Sequence, residues 1–181
     1  MQHSLVMTIV GPDRPGLVDS VATLVAEHQG NWLESRMSRL GGQFAGILRV
    51  EVPPGLEAEL VAALKRLDSR GLAVVVTPDK TNLPVETPRS RLKMLEVVGQ
   101  DRPGIVSQIA RVLASYSVNV EELHTECSSA AMSGETLFKA RAKLSIPDNC
   151  DAAEIRRKLE KIAEDLIVEI SLAELNPTSG G

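Results

Sequence analysis

Aromatic residues are scarce in this chain, with one Trp, one Tyr and two Phe in 181 residues. With so few rings, a core has to be assembled from Val, Leu, Ile and Ala. Cysteine is scarce as well. Cys127 and Cys150 have neither metal-ligand nor redox spacing, which suits a reducing compartment. No cluster of Lys and Arg occurs and the net charge is -4. Because phosphate neutralisation dominates nucleic-acid affinity, direct binding to DNA is not expected, and a DNA-linked role would need a partner. No apolar run approaches the length of a membrane span, and Met1-Gln-His-Ser lacks the pattern of a secretory leader, so a cytoplasmic location is expected. Phosphate-binding and dinucleotide fingerprints are missing. His3, His28 and His124 do not recur at matching positions and read as surface residues. Neither catalysis nor a cofactor nor a metal is expected.

What the chain does have is a repeat. Gly11-Pro-Asp-Arg-Pro-Gly16 returns as Gly99-Gln-Asp-Arg-Pro-Gly104. At the same offset of 88, Leu17, Val18, Val21, Ala22, Leu24 and Val25 match Ile105, Val106, Ile109, Ala110, Val112 and Leu113, and Asn31 matches Asn119. Residues 44–53 match 138–147 at an offset of 94, so the second copy carries six more residues in between. A unit of this size is a small domain rather than a solenoid repeat.

Within each copy the pattern predicts strand, helix, strand, strand, helix, strand. Residues 5–10 and 92–98 are apolar runs that end at the motif's first glycine. Pro15 and Pro103 suit the first position of the following helix, and Gly30 suits its stop. Residues 31–40 and 119–126 read as less clearly patterned strands. Gly41-Gly42 predicts a tight hairpin, which the second copy replaces with a longer loop at 127–135. Residues 44–52 and 138–146 alternate cleanly. Helices are predicted at 56–69 and 151–164, the latter with Glu154 and Lys158 as an i,i+4 pair, and last strands at 72–77 and 166–172. This is the α+β, ferredoxin-like βαββαβ order, an antiparallel sheet with both helices on one face, written twice. The expected organisation is a first domain at 1–78, a linker at 79–90, a second domain at 91–175 and a disordered tail at 176–181.

The repeated loop offers backbone N–H groups and the positive end of a helix dipole. Gly16 and Gly104 leave the approach open, and Asp13 and Asp101 could meet a cationic group. Donors for a carboxylate beside a carboxylate for an ammonium would suit a free amino acid. The same loop also reads as a well-made turn with its Arg paired to a nearby acid, and Asn31 and Asn119 as plain turn residues. Asp-Arg-Pro-Gly, the amphipathic helix behind it, the Asn heading the second strand and the βαββαβ order together resemble the ACT domain, a regulatory amino-acid-binding module. Two such domains alone in a chain of this length resemble the glycine cleavage system transcriptional repressor family. The resemblance implies regulation without catalysis and a ligand held between two domains. Carried over by position, it nominates Asp13, Arg14, Gly16 and Asn31 in the first copy, and Asp101, Arg102, Gly104 and Asn119 in the second. It further implies a homodimer with an amino-acid ligand and a regulatory protein partner. The alternatives are an assembly module without a working ligand site and, with little support, an enzyme. Gln100 in place of Pro12 and the longer loop set the second site apart.

Overall fold

The computed structural model describes residues 2–79, 89–129 and 136–175. The chain divides into two compact units, Met1–Val85 and Glu86–Gly181. The first unit runs β1 (His3–Pro12), α1 (Leu17–Glu27), β2 (Asn31–Leu40), β3 (Gln43–Val52), α2 (Glu57–Lys65) and β4 (Ala73–Pro78), with 3-10 turns at Pro54–Leu56 and Arg66–Arg70. The second runs β5 (Ser90–Gln100), α3 (Ile105–Ser115), β6 (Asn119–Ser129), β7 (Thr136–Pro147), α4 (Ala152–Leu166) and β8 (Val168–Glu174). Each unit builds a four-stranded antiparallel sheet, in the orders β2-β3-β1-β4 and β6-β7-β5-β8. The expected α+β, ferredoxin-like arrangement is present in both.

Period-two alternation places one face of each central strand against the helices. Leu5, Met7 and Ile9 of β1 and Leu48, Val50 and Val52 of β3 are buried against Leu17, Val21 and Val25 of α1 and Leu60 and Leu64 of α2. In the second unit Leu95, Val97, Leu144 and Ile146 meet Ile105, Ile109, Leu113, Ile155 and Leu159. The cores are mainly aliphatic, as the shortage of rings requires, with Phe138 buried in the second and Trp32, Phe44 and Tyr116 packed at their margins. On the opposite face, Lys139, Arg141 and Lys143 do not stand alone. They lie 3.7, 2.9 and 3.8 Å from Glu126, Glu96 and Glu122.

The local differences from the sequence reading have physical causes. The first strands run on through the first two motif residues, to Pro12 and Gln100, because β3 and β7 continue to pair with them. Helix α1 begins at Leu17 with Gly16 as its N-cap, so Pro15 lies before the helix rather than at its first position. Its stop is a Schellman turn in which Gln29 takes the left-handed conformation, φ 55°, and Gly30 N–H donates to Val25 O at 2.8 Å. Ser117 does the same for α3 at φ 53°. Glu154 accepts a hydrogen bond from Tyr116 Oη at 3.0 Å, a partner outside the helix. Residues 127–129, expected in a loop, belong to β6, while 130–135 lie outside the described residues, as do 80–88 of the expected linker and the expected tail at 176–181. Gly41 and Gly42 have φ of 57° and 78°, as a tight hairpin requires. No helix among the described residues is long and apolar enough to cross a membrane.

Candidate ligand site

The repeated motif is strapped to the neighbouring hairpin. Asp13 N–H donates to Gly42 O and Asp101 N–H to Thr136 O, both at 2.9 Å. Its two glycines have separate reasons. A Cβ on Gly11 would collide with the carbonyl oxygen of Gly71, and one on Gly99 would fall 2.8 Å from Val168 Cα and 2.9 Å from Ile167 O. The backbone entering the last strand of each unit leaves no room there. A Cβ would meet nothing at Gly16 and only the Gln108 side chain, at 3.7 Å, at Gly104, but the two glycines take φ of 87° and 96°, the left-handed region that favours glycine. These N-caps carry no side chain to satisfy the first N–H groups of α1 and α3. In α4, by contrast, Asp151 accepts from Ala153 N–H at 2.8 Å. The two motif helices therefore leave the first N–H groups and the positive dipole end without a side-chain cap.

The arginines are committed to the chain itself. Arg14 Nη2 donates to Arg70 O at 2.6 Å, tying the motif to the turn before β4. Arg102 Nη2 donates to Gln100 Oε1 at 3.0 Å, so Gln100, where the first copy has Pro12, holds the second arginine. Asp13 lies 3.3 Å from Arg39 Nη1. Sequence reasoning missed Arg39, for which no recurrence could signal. Its counterpart is Cys127, which cannot supply a cation to Asp101. Asn119 Nδ2 donates to Glu121 Oε1 at 2.7 Å, and the counterpart of Glu121 is Leu33.

Within a unit, the nominated residues are not brought together. Asp13, Arg14 and Gly16 follow the end of β1, while Asn31 pairs with Glu51, which pairs with Ser4 near the start of β1. Eight residues of strand separate Ser4 from Pro12, roughly 26 Å at about 3.3 Å per residue. The second unit repeats this, with Asn119 opposite Ser145 and Ser145 opposite Leu92, far from Asp101. Asp13, Arg14, Gly16, Asn31, Asp101, Gly104 and Asn119 are exposed and Arg102 is half-buried. His3 Nδ1 lies 2.6 Å from Glu57 Oε2 and His28 Nδ1 lies 2.7 Å from Leu24 O, so both rings have local partners. Among the described residues no three His, Cys, Asp or Glu side chains converge as a metal site would need.

Comparison with known proteins matches a family model described as the ACT domain to residues 3–77 and again to 94–173. The glycine cleavage system transcriptional repressor of Escherichia coli strain K12 is 22% identical over 175 residues, spanning 97% of this chain and 92% of that protein. A crystal structure of an unknown protein from Galdieria sulphuraria superposes with a TM-score of 0.82 at 29% identity, covering 97% of this chain and all of that one. A candidate glycine cleavage system transcriptional repressor of known structure shares the fold, with a TM-score of 0.66 at 18% identity over 97% of this chain and 99% of its own.

Proposed function

Because the chain belongs to the ACT domain family, we propose that it is a non-catalytic regulatory protein that binds a free amino acid and passes that state to a protein partner. The observation that carries this reading is the repeated separation of Asp from Asn. In both units an exposed Asp and a helix N-terminus without a side-chain cap stand at one end of the sheet, and an exposed Asn stands at the other. Neither end completes a site alone. The same domain of a second chain, laid antiparallel alongside, would bring the Asp end of one domain to the Asn end of the other. Backbone N–H groups then meet the ligand carboxylate, Asp101 or Asp13 its ammonium, and the Asn side chain a remaining polar atom. Ligand bound across such a seam shifts association by its preference for one arrangement. Likeness to the bacterial repressor along nearly the whole chain supports a role in transcription or metabolism, glycine metabolism included.

An assembly module without a ligand is the second reading, and the motif itself favours it. Both glycines are required by the fold, and both arginines have partners in the chain. Thermal unfolding against the twenty amino acids separates the two readings. Ligand at a hundred times its dissociation constant adds about 2.7 kcal/mol, a rise of several degrees for a chain of this size. Asp101→Ala and Asp13→Ala are expected to remove that rise while leaving the ligand-free midpoint nearly unchanged. No shift with any amino acid would leave the assembly module.

A further inference from the structure

The second unit has a small apolar groove between α3 and β6, and every residue lining it is apolar. Ile105, Ile109 and Leu113 form one wall, Leu123 the other, and Phe138 and Ala142 the floor. In the first unit the same place is filled from within. Trp32, opposite Val50, packs on the core, and Met37, opposite Gly46, lies so close over that glycine that a Cβ there would collide with it. In the second unit Val120, opposite Leu144, and Thr125, opposite Ala140, take those two positions. An indole and a thioether chain have become an isopropyl group and a short hydroxyl side chain. No residue of β6 joins the second core, and Val120 and Leu123 remain 40% and 54% exposed.

The groove starts at the motif. Phe138 pairs with Gly99, and Ile105 follows Gly104 directly. We propose that this groove is the side-chain pocket of the second unit's ligand site, selecting an amino acid with a large apolar side chain, of the leucine or methionine class, over glycine. The first unit names the occupant: what closes the equivalent space there is apolar and of that size. An apolar recess of this kind does not hold water well, and an aliphatic group gains by entering it. The inference rests on the amino-acid-binding reading above, because the ligand's charged head is placed at Asp101 and the N-terminus of α3.

Calorimetric titration of the full chain with glycine, L-leucine and L-methionine tests it, together with V120W/T125M, which restores the first unit's filling, and the milder T125M. Leucine or methionine is expected to bind roughly tenfold or more tightly than glycine. V120W/T125M should lose that advantage while still unfolding cooperatively, and T125M should lose part of it even if the double variant folds poorly. Glycine bound as tightly as leucine, or an advantage untouched by both variants, overturns the pocket and leaves the sensor standing. Binding of none of the three, in a chain that also ignores the other amino acids, overturns both. A change in oligomeric state on size exclusion with ligand affinity intact makes the groove a contact between chains, and the pocket assignment falls.

Discussion

Glycine enters the motif twice for different reasons, and the reasons predict different costs. Gly104→Ala places a methyl group in ordinary contact with the Gln108 side chain on a left-handed backbone, which costs about 1 kcal/mol. Gly99→Ala drives a methyl group into Val168 and the carbonyl of Ile167, so the last strand must shift, at about 1–3 kcal/mol. Urea unfolding of the two variants is expected to rank them in that order. The pair Lys93 and Glu174 gives a second test at this scale. Lys93 is nearly buried, and its Nζ lies 2.5 Å from Glu174 Oε1. That hydrogen bond and the ammonium charge hold the Glu174 carboxyl below its ordinary 4.5. The folded state thus favours the carboxylate, and its contribution is present above the ordinary value and lost as pH falls through the depressed one. Glu174→Gln is therefore expected to be less stable than the native chain at neutral pH. The gap should close as the pH drops below 4.5, which urea midpoints across pH would show.

Among the elements, the strands facing both core and solvent were legible because alternation survives in them. Residues 48–52 and 138–146 alternate without a break, and the structure buries the faces that the pattern indicates, whereas 44–47 are apolar throughout and Ile47 is exposed. The second strand of each unit was harder to read. Each carries a bulge, between Trp32 and Glu34 and between Val120 and Glu122, which moves the following residues to the other face. As edge strands they also bury little, so composition says less about their orientation. Helix stops and the hold on each arginine depend on backbone hydrogen bonds and on neighbours distant in sequence, which a periodic pattern does not encode. Where the nominated residues lie was not legible, since no spacing along the chain reveals that Asp13 and Asn31 stand at opposite ends of the sheet. The packing of β2 on its helix yields its own prediction. Gly46→Ala collides with Met37 and approaches the carbonyl of Arg36 at 2.9 Å, whereas the second unit has alanine at that place opposite Thr125. Gly46→Ala should destabilise the chain and Met37→Thr should partly rescue it. The two changes are expected to couple by about 0.5–3 kcal/mol in a double-mutant cycle.

At the scale of the whole molecule, an Asp at one end and an Asn at the other make a prediction about chains rather than residues. On the proposed reading, a site shared in a symmetric homodimer would take its Asp from one copy and its Asn from the other. Asp101→Ala chains alone have no second site with an acid, and Asn119→Ala chains alone have none with an amide. A mixed dimer concentrates both losses in one site and leaves the other whole. Refolding the two variants together from urea should restore ligand binding to roughly a quarter of the native site number, since half of the random pairs are mixed and each holds one intact site. Calorimetric stoichiometry reads this directly, because the recovered sites keep native affinity and only their number falls. Binding that stays absent in the mixture would remove Asp101 and Asn119 from a site shared between two copies, even if each variant alone abolishes binding.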